Sequence, residues 1–215
     1  MFKDRKDAGT RLAESLSEYI GQKNVLVLAL PRGGVVTGAE IADRLKAPLD
    51  VLIVRKIGHP WQPELAAGAI SETGGIVYNE DVASSTGVTK DYLRGEAARQ
   101  REEISRRQQL YRGGQKLGGL RGKTIILVDD GVATGATMKA AVEMLKREQA
   151  GKLIVAVPVA PPATAAELQQ MVDVFVCLDI RWDFTAVGNF YEDFRQVFDA
   201  DVTALLQDFR RRAAA

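Results

Sequence analysis

Five short apolar runs recur along the chain, VLVLAL at 25–30, LDVLIVRK at 49–56, TIILVDD at 124–130, LIVAVPVA at 153–160 and VDVFVCL at 172–178. They are apolar throughout rather than alternating, which is the pattern of strands covered on both faces in a mostly parallel sheet. The stretches between them, at about 35–46, 89–112, 135–149 and 163–171, predict helices. This order gives an α/β fold, a mostly parallel open sheet flanked by helices. An N-terminal helix over about 4–20 follows from Leu12, Leu16 and Ile20, spaced four apart. Residues 66–79 read as a small hairpin, because Glu72, Thr73, Gly74 and Gly75 break two short extended runs.

A single domain of 1–215 accounts for the length, with room for a substantial core. Net charge is +1, so no global pull toward nucleic acid or anionic membrane exists, and any basic site is local. The most apolar stretch, 153–166, contains three prolines and is too short to span a bilayer. The charged N-terminus lacks a signal peptide's apolar core, and the one cysteine, Cys177, sits in an apolar run as a buried structural thiol. A soluble, cytoplasmic protein is expected, and a homo-oligomer is compatible with the chain.

Chemistry concentrates in IILVDDGVATGAT at 125–137. The turn of Gly131, Val132, Ala133, Thr134, Gly135, Ala136 and Thr137 leads from a strand end into a helix, where N–H groups, the helix dipole and two threonine hydroxyls suit a phosphate. It lacks the lysine of a nucleoside-triphosphate loop. Asp129 and Asp130 would repel phosphate, but they accept from sugar hydroxyls or approach Mg²⁺. A sugar phosphate satisfies both halves. A second strand–glycine–helix unit carries Pro31, Arg32, Gly33 and Gly34, and its guanidinium suits a polyphosphate. Together they describe a ribose phosphate that also bears pyrophosphate.

At 125–137 the chain resembles the ribose-phosphate signature of the type I phosphoribosyltransferases, and PRGG at 31–34 occupies the place of their pyrophosphate loop. The stretches VRKIGHPWQPELAAGAI and DFTAVGNFYEDF are similar to a subgroup whose acceptor is generally unassigned. The resemblance implies a core over about 22–180, a flap over about 57–79 and a C-terminal hood over about 181–215. It also implies transfer of a ribosyl phosphate from phosphoribosyl pyrophosphate (PRPP) to a nitrogenous acceptor with Mg²⁺ assistance. Carried onto this chain, Asp129 and Asp130 hold the ribose hydroxyls, with the metal at the same carboxylates. The N–H groups from Val132 to Thr137 hold the 5′-phosphate, Arg32 with Gly33 and Gly34 holds pyrophosphate, and Lys56 is a further pyrophosphate contact.

His59 and Glu64 in the flap are weaker candidates for a general base, His59 being read as solvent-facing. Trp61 either covers the sugar or packs for its own burial, and Trp182, Phe184, Phe190 and Tyr191 either stack on an acceptor or pack the C-terminal helices. Rival folds fail on their own requirements: a receiver domain needs a later strand-end lysine, and none follows Lys152, while a dehalogenase-type phosphatase needs an acid at position 131. The serious alternative is a PRPP-binding regulator of RNA or DNA, served by the arm at 90–116, with eight basic residues against four acidic, and by Arg210, Arg211 and Arg212. The complete Arg32 turn favours an enzyme.

Overall fold

The computed structural model describes residues 1–62, 66–73, 76–78, 82 and 86–214. Its strands are β1 (Val25–Ala29), β2 (Leu49–Val51), β3 (Val54–Gly58), β4 (Ala66–Ser71), β5 (Ile76–Tyr78), β6 (Thr124–Val128), β7 (Lys152–Ala160) and β8 (Val174–Ile180). The helices are α1 (Arg5–Ser15), α2 (Gly33–Leu45), α3 (Lys90–Arg112), α4 (Ala136–Arg147), α5 (Pro162–Met171) and α6 (Asp199–Ala214). Five strands form a parallel sheet in the order β2-β1-β6-β7-β8, and β3-β4-β5 form a separate antiparallel sheet.

Side-chain alternation along β1 explains the two-faced apolar pattern. Val25, Val27 and Ala29 join a core with Leu12, Ile41 and Leu45 of α1 and α2, whereas Leu26 and Leu28 join Met138, Ala141 and Leu145 of α4 on the opposite face. Burying both faces at once is the main stabilising term for such a strand. The last apolar run departs from this expectation: β8 is an edge strand and only half-buried.

The run at 49–56 is not one strand. Leu52 still donates to Ala29 O at 3.0 Å, but Ile53 turns to Glu72, donating its N–H to Oε1 at 2.9 Å and accepting from Glu72 N at 3.0 Å. The chain therefore leaves the parallel sheet at β2 and opens the hairpin sheet with β3, which carries Lys56 away from the strand end where it was expected. The hairpin itself forms as read, β4 pairing antiparallel with β5.

Helix ends follow their local chemistry. Asp4 caps α1 by accepting from Asp7 N at 2.8 Å, and Thr89 caps α3 by accepting from Tyr92 N at 3.2 Å. Gly113, at φ 60°, ends α3 in the left-handed conformation that glycine adopts without steric cost. Helix α3 buries a thin apolar seam of Leu93, Ala97, Ile104 and Tyr111. Helix α1 stops short of its expected end: a 3-10 turn at Ser17–Tyr19 rotates the chain so that Tyr19 is buried and Ile20 is 41% exposed. No helix among the described residues is long and apolar enough to cross a membrane.

Candidate functional site

Because β1 and β6 are sheet neighbours, the turns that follow them are in contact, and Leu30 N donates to Val128 O at 2.9 Å. Helix α2 begins at Gly33, two residues earlier than expected, so both glycines lie in its first turn rather than in a free loop. A Cβ on Gly33 would lie 1.8 Å from Asp130 Oδ2, and one on Gly34 would lie 2.8 Å from Asp129 Cα. Glycine at both positions is what allows the Arg32 turn to touch the acid pair. The Pro31–Arg32 peptide bond is cis.

After β6 the chain folds over the end of the longer β7, with Val132 N donating to Val159 O at 3.0 Å. That bond uses the Val132 N–H, which the sequence reading assigns to a ligand phosphate. Thr164 Oγ1 donates to Ala133 O at 2.7 Å and holds the turn from α5. Gly135 precedes α4 at φ 74°, and the first N–H groups of that helix have no intrahelical acceptor. The resulting cleft, about 370 Å³, is lined by Lys56, Asp129, Val187 and residues 131–138. Thr134 and Thr137 both line it, and the hairpin sheet delivers Lys56 to its wall. Arg32 and Asp130 do not line it; Asp130 stands at the Gly33 contact.

Burial raises the Asp129 carboxyl well above its usual range, with the Asp130 charge adding to the effect and Arg5 opposing it. Asp130 is held from outside the cleft: Arg5 Nε pairs with its Oδ2 at 2.6 Å, and the Tyr191 hydroxyl donates to its main-chain oxygen at 2.5 Å. Sequence reasoning missed Arg5 and Val187. An arginine within the charged stretch MFKDRK resembles any solvated one, and its partner lies 125 positions away. The Tyr111 hydroxyl donates to Asp199 at 2.5 Å; burial and then Asp199 raise it, while Arg107 and, least, Arg32 pull it down.

His59 is buried at 6% exposure, contrary to the solvent-facing reading. Its Nδ1 accepts from Trp61 N at 3.2 Å, and Nε2 has no partner among the described residues. Glu64 lies outside the described residues. Trp61 and Trp182 are 86% and 90% exposed, so Trp61 is not packed for its own burial and Trp182 does not pack the C-terminal helices. Phe190 and Tyr191 are buried, but against Phe2, Ala8 and Val159 rather than against the C-terminal helices. The N-terminal segment thus packs directly behind the acid pair. The basic surface that a regulator would use is largely paired internally. Arg106 and Arg107 share Glu103, both at 2.7 Å, and Arg212 pairs with Asp43 at 2.7 Å.

A parallel sheet that sets a PRGG turn against a DDGVATGAT turn defines the class as the type I phosphoribosyltransferase fold. The family model described as phosphoribosyl transferase domain matches residues 2–193, and the chain belongs to that family. Two proteins of Mycobacterium tuberculosis strains, CDC 1551 and H37Rv, both provisionally named phosphoribosyl transferases, are each 44% identical over 211 residues, covering 98% of this chain and 47% of theirs. The chain spans about half the length of these curated relatives. The crystal structure of TT1426 from Thermus thermophilus is 43% identical, with a TM-score of 0.84, covering 97% of this chain and 99% of that one.

Proposed function

We propose that the chain transfers ribose 5-phosphate from PRPP to a nitrogenous acceptor, a nucleobase or related compound, and releases pyrophosphate. The observation that carries this reading is the contact of the two turns at Gly33 and Asp130. One ligand with a phosphate at one end, a diol in the middle and a polyphosphate at the other spans such a junction. The turn at 133–137, with Thr134 and Thr137, takes the 5′-phosphate, and Asp129 and Asp130 take the sugar hydroxyls. Arg32 with the first turn of α2 takes pyrophosphate, and Lys56 adds charge from the hairpin.

In the reaction the anomeric carbon loses its pyrophosphate oxygen, which departs with the bonding pair. A nitrogen lone pair of the acceptor forms the new bond, and that nitrogen's proton passes to solvent. Holding the sugar at both phosphate ends supplies alignment, and fixed positive charge at Arg32 stabilises the leaving group. Mg²⁺ suits the donor set, since two adjoining carboxylates offer hard oxygens. Asp129 and Asp130 are the residues that would hold the ion, and among the described residues no group of three or more His, Cys, Asp or Glu stands together. When bound, it supplies neutralisation of the pyrophosphate charge. The segment over about 57–79, which follows Lys56 of β3, is assigned the flap that excludes water.

Pyrophosphate release from PRPP and Mg²⁺, assayed across purine, pyrimidine and other nitrogenous acceptors, tests the reading. Acceptor-dependent release supports it. Tight PRPP binding without turnover on any acceptor, together with PRPP-dependent nucleic-acid affinity, would establish the regulator instead.

A further inference from the structure

A buried arginine from the start of the chain stands behind the acid pair, and the transfer chemistry gives it no task. Arg5 is in the first turn of α1, and its residue exposure is 9%. Helices α1 and α2 lie side by side in a matched register. A Cβ on Gly9 would come within 2.6 Å of Thr37 O, and one on Gly33 would come within 2.9 Å of Arg5 Nε. Arg5 to Gly9 and Gly33 to Thr37 are each one helical turn, so the close approach at Gly9 sets Arg5 over Gly33.

The guanidinium is fixed on three sides. Nε meets Asp130 Oδ2 at 2.6 Å, Nη1 donates to Arg195 O at 2.8 Å, and Cζ lies 3.7 Å from the centroid of the Phe194 ring. A planar fork held at two nitrogens and stacked on an aromatic ring has one orientation available, and it imposes that orientation on its partner. The Tyr191 hydroxyl secures the main chain of the same aspartate.

We propose that Arg5 is a positioning residue for sugar recognition, pinning one carboxylate oxygen of Asp130 so that the group meets the ribose hydroxyls in a fixed orientation. This role rests on the transferase reading above. It assigns the N-terminal helix to the site without having it touch substrate, and it makes Arg5 matter for the sugar but not for the phosphate end. Lysine restores the charge at position 5 but not the two-nitrogen orientation.

Calorimetric titration of the full chain with PRPP and Mg²⁺, ribose 5-phosphate and inorganic phosphate tests this, using wild type, Arg5→Ala and Arg5→Lys, each checked for folding by thermal melting. The expected result is that Arg5→Ala loses about tenfold to a hundredfold affinity for ribose 5-phosphate, the range typical of residues that orient a ligating group, with phosphate affinity unchanged and Arg5→Lys intermediate. Unchanged ribose 5-phosphate affinity in Arg5→Ala, or a proportional loss of both ligands, overturns the proposal. Should Arg5→Ala fail to fold, Arg5→Lys combined with Asp130→Asn decides: no loss beyond that of Asp130→Asn alone supports coupling, and additive losses overturn it. Wild-type protein that binds none of the three ligands overturns the transferase reading itself, and the role of Arg5 with it.

Discussion

Gly33 and Asp130 are in such close contact that a single added carbon on the glycine would fall 1.8 Å from the carboxylate oxygen Oδ2. Through this contact the turn after β1 and the turn after β6 become one surface. The atom in the way is a carboxylate already fixed by Arg5, so it cannot swing aside cheaply.

Gly33→Ala is therefore expected to destabilise the protein by about 1–3 kcal/mol, the usual cost of overpacking, and to weaken PRPP binding more than that loss implies. Urea unfolding together with PRPP titration checks it. Wild-type stability and affinity would show that the two turns are not held at this spacing.

Asp130→Asn keeps the shape but removes the charge. Donor affinity is expected to fall about tenfold or more, because a hydrogen bond to a charged group is worth about 1.5–3 kcal/mol; stability falls as well, because Arg5 loses its carboxylate partner, so affinity is measured where urea unfolding shows the chain folded. Wild-type affinity in this variant would remove the sugar contact from Asp130.

Glu72 and Arg112 form an ion pair with side-chain exposures of 1% and 3%, tying the hairpin turn to the end of α3. Glu72→Gln leaves a buried guanidinium whose remaining carboxylate neighbour among the described residues is Asp50, at 3.9 Å. The expected cost is about 3–5 kcal/mol, measured by urea unfolding. A loss below about 1 kcal/mol, as for an exposed pair, would contradict the burial.

Burial pushes the Cys177 thiol up from 9.0 to about 11. The folded chain thus keeps the proton that the unfolded chain releases, so the contribution to stability is complete below pH 9 and declines as pH rises toward about 11. Unfolding free energies of wild type and Cys177→Ala are expected to converge or cross over that window, changing relative to each other by at most about 1.4 kcal/mol per pH unit. Parallel curves would show an accessible thiol.

Much of this arrangement was legible because it is written locally. Apolar runs marked β1, β6 and β7, the double glycine marked the end of α3, and the Gly/Thr turn with Asp129 marked the cleft, although Asp130 stands outside its lining. What escaped depends on contacts distant in sequence. The break at residues 52–53 follows from Glu72 capturing Ile53, the burial of His59 from how the segment after β3 folds, and Arg5's role from a register between two helices. An apolar pattern states that a residue is covered but not by what, which is why β8 read like an interior strand although it forms the edge.

Competition calorimetry tests the shared-ligand account most directly, titrating PRPP with Mg²⁺ into protein preloaded with ribose 5-phosphate, with pyrophosphate, or with both. If one PRPP molecule spans both turns, each compound alone displaces PRPP, the two bind together without displacing one another, and PRPP binds far more tightly than either. If pyrophosphate or ribose 5-phosphate leaves PRPP binding untouched, the turns at Arg32 and Asp130 do not serve a single ligand, and the assignment fails.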